Sequence, residues 1–199
     1  MRRQLMTGLR VTLCLLLVTC VAYPLAVWAI GQVAFHDRAN GSLVAVDGRL
    51  VGSSLIGQTW NDEHGAPLAT YFQPRPSAAG RGYDPSASAG TNLGPSNPDL
   101  ARAVRERVTA FRSFNHLPSD APVPVDAVTS SGSGLDPDIS VANALAQAPR
   151  VADARGLAAA RVVALVHDHV RDRAWSVLGE RAVNVLDLNL ALDALANGE

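Results

Sequence analysis

Residues 11–33 read VTLCLLLVTCVAYPLAVWAIGQV, a run from Val11 to Val33 that contains no charged side chain. At the α-helical rise these residues make about 34 Å, enough to cross a hydrocarbon core of about 30 Å. A single segment hides its backbone polar groups from lipid only as a helix, because a barrel needs several strands. The run therefore predicts one membrane-spanning helix. Arg2, Arg3 and Arg10 precede it and the first charges after it are Asp37 and Arg38, so the positive-inside bias places the N-terminus in the cytosol. The expected layout is a cytosolic stub over 1–10, a transmembrane helix over 11–34 and an extracytoplasmic domain over 35–199. Tyr23, Trp28 and Phe35 occupy the outer half, where aromatic rings favour the headgroup boundary. Pro24 predicts a bend, tolerated in lipid where a neighbouring helix satisfies the carbonyl it frees, and so points to a partner in the membrane. The competing reading is a cleaved secretion signal with Ala29-Ile30-Gly31 as its small-residue site. Signal cores run about 7 to 15 residues and this run is longer, which favours the anchor.

The residues beyond the helix are enough for one ordinary domain with its own core. Net charge is −1, but three of the 17 arginines precede the membrane run, which leaves 14 basic against 18 acidic residues outside, or −4. That balance argues against nucleic acid as a partner, which calls for a basic footprint. The chain has no lysine, a bias that base composition accounts for. Both cysteines, Cys14 and Cys20, lie in the apolar run, where six residues of helix turn them onto different faces, so no disulfide is expected. His167 and His169 point apart at i, i+2 on a helix, with no cysteine or third histidine at ligand spacing, so no metal site is expected.

Along the exported chain, Ser42–Val46 and Arg49–Val51 flank Asp47-Gly48, the signature of a two-residue β-hairpin. From Asn61 to Pro98 periodicity vanishes and prolines recur, a stretch unusually long for a compact domain and so either functional or disordered. Tyr71, Phe72 and Tyr83 supply it with aromatic anchors. Asn97-Pro98-Asp99 opens a helix, with Leu100, Val104, Val108 and Phe111 on its apolar face and Arg102, Arg105, Glu106 and Arg112 on the other. Pro118, Pro122 and Pro124 end it.

Next comes VDAVTSSGSGLDPDIS, Val125 to Ser140. It predicts a short strand, a glycine turn and a helix opened by Asp136-Pro137 that carries Ile139, Ala142 and Leu145 toward Gln147. Two readings stand: a turn whose N–H groups hold a phosphate, and a tight structural turn. The missing GxxxxGK[ST] lysine and the carboxylates of Asp136 and Asp138 favour the second. After Pro149 a short helix around Arg150 to Arg155 gives way at Gly156 to a longer one with Val162, Leu165, Val166 and Val170. Val183 to Leu190 reads as a strand or the entry to a last helix. The pattern suits an α+β domain.

Six motifs in order carry a resemblance: GSLV with VGSSLIGQ (Gly41 to Gln58), YFQPRPSA, TNLGPSN, VTSSGSGLDPDIS, QAPRVADARGL (Gln147 to Leu157) and VNVLDLNLALD (Val183 to Asp193). Over essentially its whole length the chain resembles the C subunit of Kdp-type potassium-transporting ATPases. Asp138 stands where that family more often shows histidine or asparagine. The resemblance implies a noncatalytic subunit of a four-part membrane complex, with a channel-like potassium-binding subunit, a P-type ATPase subunit and a small single-helix subunit as partners. It also implies a catalytic chaperone that raises ATP affinity in the hydrolysing subunit, with Gln147 and the nearby Ser131 and Ser133 as nucleotide contacts. No cofactor of the chain's own is implied, ATP entering through the complex. The charge rule conflicts with direct contact, because it puts Gln147 across the membrane from cytosolic ATP; an effect through partner subunits satisfies both. The domain is then expected over the outer mouth of the channel-like subunit, docked through the 61–98 segment, with Tyr71, Phe72, Arg75 and Asn92 as contact residues.

Two rivals remain. A membrane-anchored serine hydrolase would use Ser133 as nucleophile with His167 or His169 as base, although the GxSxG elbow is missing. A ligand-binding module would act alone, without companions.

Overall fold

The computed structural model describes residues 1–197, so the last two residues of the expected domain lie outside the described part. The chain divides into two compact units, 1–50 and 51–199.

The first unit is mainly one apolar helix of 33 residues, Arg2–Ala34, long and apolar enough to cross a membrane. It starts well before Val11 and takes in the stub. Its two α-helical parts, α1 (Arg2–Leu16) and α2 (Tyr23–Ala34), are joined by a wider π-helical turn, Leu17–Ala22. The sequence predicts a bend at Pro24; what precedes the proline is this widened turn. A proline lacks the N–H that an α-helix needs and crowds the carbonyl four residues back; widening relieves the crowding and moves the missing donor from one carbonyl to another. A short helix α3 (His36–Ala39) follows. Strands β1 (Leu43–Val46) and β2 (Arg49–Ser53) then pair as the expected hairpin. Asp47 and Gly48 take φ of 50° and 77°, the left-handed pair that matches the twist of two strands.

The second unit mixes helix and sheet. Helix α4 (Pro98–Phe114) opens as expected, with the Asn97 side chain accepting from Asp99 N at 2.8 Å. The region after it departs from expectation. Val125–Val128, expected as a strand, is a single helical turn, α5. Pro124 sets its entry, and Asp126 is turned to bond Ser140 and Asn143. The strand of this region is instead β3 (Asp138–Ser140), and Ser140, not Asp136, caps helix α6 (Val141–Arg155). Ile139 thus sits on a strand opposite Val183, 2% exposed. Pro149 does not end α6, which runs through it to Gly156. An interior proline costs about 3 kcal/mol. Seven buried residues of this helix outweigh that cost. Gly156 does terminate it, at φ 65°.

Helix α7 (Ala159–Asp168) buries Val162 and Val166, and β4 (Val170–Arg171) follows. The last motif is both of its expected alternatives in succession, strand β5 (Ala182–Asn184) and helix α8 (Val185–Asn197). The sheet is antiparallel in the order β3-β5-β4. Against it pack Ala144, Ala148 and Val151 of α6, Val162 and Val166 of α7, and Leu188 and Leu192 of α8. One member of this core comes from no regular element: Phe72, fully buried.

Candidate functional site

Helix α6 carries Asn143, Gln147 and Arg150 at i, i+4, i+7, one polar row on a face that is otherwise core; all three are at most 2% exposed. Groups so buried need partners, and these find theirs in the irregular segment. Gln147 Nε2 donates to Gln73 O (3.0 Å) and Asn143 Oδ1 (2.9 Å), while its Oε1 accepts from Gln73 N (2.7 Å) and Arg150 Nη2 (2.9 Å). Asn189 of α8 does the same one residue earlier, accepting from Phe72 N (2.9 Å) and donating to Phe72 O (3.0 Å). Two side-chain amides thus replace the neighbouring strand that Phe72-Gln73 lacks.

The guanidinium groups extend the clasp. Arg150 donates to Ala69 O, to Tyr71 O through both terminal nitrogens and, through Nε, to Asn115 Oδ1 (2.9 Å). It lies over the Phe114 ring at 4.4 Å. With its bond to Gln147 every guanidinium N–H is used. Burial lowers its pKa to about 10. Arg155 donates to Thr70 O (2.6 Å), pairs with Asp193 (2.7 Å) and covers the Tyr71 ring at 4.6 Å. The five consecutive carbonyls from Ala69 to Gln73 are therefore all held by side chains. Tyr71 also packs on Trp60, with ring centroids 4.6 Å apart, and its hydroxyl donates to Asp193 (3.3 Å).

Farther along, Arg75 pairs with Asp136 at 2.9 Å. Ser77 donates to Gly134 O (2.6 Å) and accepts from Tyr83 N (2.9 Å), and the Tyr83 hydroxyl donates to Arg75 O (2.8 Å). Burial, with the Asp136 carboxylate adding to it, pushes the Tyr83 phenol well above its ordinary value. Gly134, at φ 70°, could not carry a Cβ, which would meet Ala89 O at 2.7 Å and Ala79 N at 2.8 Å. Between this segment and α4 lies a cleft of about 390 Å³, lined among others by Pro74, Arg75, Pro76, Tyr83, Phe111 and Phe114.

Of the expected nucleotide contacts, Gln147 is buried with both donors and both acceptor positions engaged. Ser131 Oγ accepts from Gly134 N (2.9 Å), Ser133 Oγ from Leu135 N (3.1 Å), and Asp136 from Asp138 N (3.1 Å). Three of the N–H groups that could face a phosphate, those of Gly134, Leu135 and Asp138, are taken by the turn's own side chains. The start of α6 holds a carboxylate already: Asp126 accepts from Ser140 N at 2.8 Å and Asn143 Nδ2 at 2.9 Å. No hydrogen bond joins Ser133 to His167 or His169: the Ser133 hydroxyl accepts from Leu135 N, and His169 Nδ1 is engaged with Leu165 O at 2.8 Å. Of the expected docking residues, Phe72 has no exposed surface, Tyr71 and Arg75 are half-buried, and Asn92 is exposed at φ 52° with Nδ2 donating to Gly90 O (3.2 Å).

Sequence reasoning missed Arg150, Arg155, Asn143, Asp126 and Asn189 as the residues that order this half of the domain. One signal was present: Asn143, Gln147 and Arg150 break the apolar face of α6 at helical spacing.

A family model described as KdpC: K+-transporting ATPase, c chain, matches residues 5–194. The potassium-transporting ATPase KdpC subunit of Mycobacterium tuberculosis (strain ATCC 25618 / H37Rv) is 56% identical over 195 residues, 98% of this chain and 100% of that one. The subunit of the same name from Kineococcus radiotolerans is 52% identical over 196 residues, covering 98% and 95%. That from Rhodospirillum rubrum is 49% identical over 194 residues, covering 97% and 96%.

Proposed function

The chain belongs to the KdpC family, the c chain of K+-transporting ATPases, and from that premise we propose that it serves such a complex as a membrane-anchored subunit with no reaction of its own. Its helix Arg2–Ala34 is the anchor, and the arginines before the apolar run put the domain on the outer side. There the domain docks on the channel-like subunit, beside the ATP-hydrolysing and small single-helix subunits. The observation that carries this reading is that the polar groups best placed for chemistry, Gln147 above all, are spent on holding the chain's own backbone. Any influence on ATP use therefore passes through the partner subunits as a shifted equilibrium. Docking falls to the exposed edge of the clasped segment, at Tyr71, Arg75 and Asn92, with Phe72 holding that edge from beneath.

The orientation is tested with one exposed cysteine. In a chain with Cys14 and Cys20 changed to alanine, Ser133→Cys is expected to react with an impermeant maleimide in intact cells whose outer layers admit it. Labelling only after lysis would reverse the topology and return direct ATP contact to consideration. Docking is tested by Asn92→Asp, which keeps a residue that tolerates the positive φ, expected to lower recovery of the other subunits on purification with little change in the chain's own thermal stability.

A further inference from the structure

We infer that the widened turn Leu17–Ala22 is the seat of a second, different transmembrane helix, one that presents a hydrogen-bond-donating side chain to the Thr19 carbonyl. The inference rests on the reading of Arg2–Ala34 as a membrane anchor.

The bonding pattern of the turn carries it. The Tyr23 N–H donates to Val18 O, five residues back, where a regular α-helix would send it to Thr19 O. The donor that would serve Thr19 in the wider pattern is residue 24, and Pro24 has no N–H. The Thr19 carbonyl is thus left without either intrahelical donor. Thr19 is three residues from the middle of the uncharged run, about 4.5 Å along the axis, well inside the hydrocarbon. A carbonyl unsatisfied there costs several kcal/mol, and neither lipid tails nor water repays it.

The chain cannot supply the donor itself. Thr12 and Thr19 are the hydroxyl-bearing aliphatic residues of the run, and each donates within its own helix, to Gly8 O at 2.9 Å and Leu15 O at 2.7 Å. Cys20, whose sulfur lies 3.6 Å from the Thr19 hydroxyl, offers only a thiol, a weak donor. A second copy inserted in the same direction would bring the same spent groups to the same depth. The partner is therefore another helix with Ser, Thr, Asn or Gln at the level of Thr19, the kind of residue that joins helices in membranes.

The test uses the full chain co-expressed with its complex and extracted in mild detergent. Pro24→Ala restores an N–H at residue 24, lets the helix close on itself and leaves the partner's donor unpaired. Association is expected to weaken about three- to fifteenfold, the range of a single interhelical hydrogen bond. Leu25→Ala, one residue on and exposed, leaves it unchanged. A direct readout is the infrared amide I band of a Thr19 carbonyl labelled with carbon-13 and oxygen-18. Its frequency should be lower in the complex than in the chain alone in micelles, and the difference should vanish in Pro24→Ala. Equal frequencies, with the wild-type complex intact, overturn the inference alone. A wild-type chain that retains no membrane partner overturns the anchored-subunit reading and this inference with it.

Discussion

The hairpin β1–β2 and the segment Ala69–Gln73 solve the same problem in opposite ways. The hairpin is regular and has no buried residue, its backbone groups satisfied strand to strand across a two-residue turn. The segment has no regular structure, yet it delivers a fully buried Phe72 to the core, and its carbonyls are held by Arg150, Arg155, Asn189 and Gln147. Regularity and order are thus separate properties. A backbone can be immobilised by side chains from distant helices as firmly as by a neighbouring strand, provided those side chains are buried and fully bonded.

The difference predicts where the chain breaks. The largest effect is expected for Arg150→Met, which leaves the Ala69 and Tyr71 carbonyls without donors. A loss of about 4 kcal/mol, roughly 10 °C in Tm, should appear in thermal unfolding of the solubilised full chain followed by circular dichroism. A loss below about 1 kcal/mol would mean that the clasp is ornamental. Gln147→Ala and Asn189→Ala should each cost about 2–3 kcal/mol by the same measurement. Because they hold adjacent residues, the double variant should cost less than the two together, the sign of a shared element. Strict additivity would split the clasp into two unrelated contacts. In the hairpin, Gly48→Ala is expected to cost only about 1 kcal/mol, from the positive φ.

The smallest effect concerns Asp138 on β3. Burial raises its carboxyl above the ordinary value, although Arg171 opposes this. The folded chain then holds that proton more tightly than the unfolded one. The contribution to stability is present at low pH and is lost as pH rises through the raised pKa. Asp138→Asn should flatten that part of the pH–stability profile, read from denaturant midpoints between pH 3 and 7. An unchanged slope would assign it to other carboxylates.

The hairpin turn, the cap at Asn97, the stop at Gly156 and the apolar N-terminal helix were legible because each is a local device: a dipeptide, a capping side chain, a glycine, an apolar run. The same local reasoning misplaced the start of α6 at Asp136-Pro137 and cut the helix at Pro149. Both errors came from weighing a proline or a cap without the core packed against it. Ser140 is the cap because Ile139 is drawn into the sheet opposite Val183, and Pro149 is tolerated because its helix is buried on both sides of it.

The sequence alone determined the apolar helix, the acidic balance of the residues beyond it and the motifs that mark the family, because these depend on residue types and short spacings. Only the tertiary structure decided that Gln147 grips Gln73 across 74 positions and that Asn189 grips Phe72 across 117. A side-chain amide has the same composition whether it binds a ligand or its own backbone, and which of the two it does depends on what the rest of the chain folds against it.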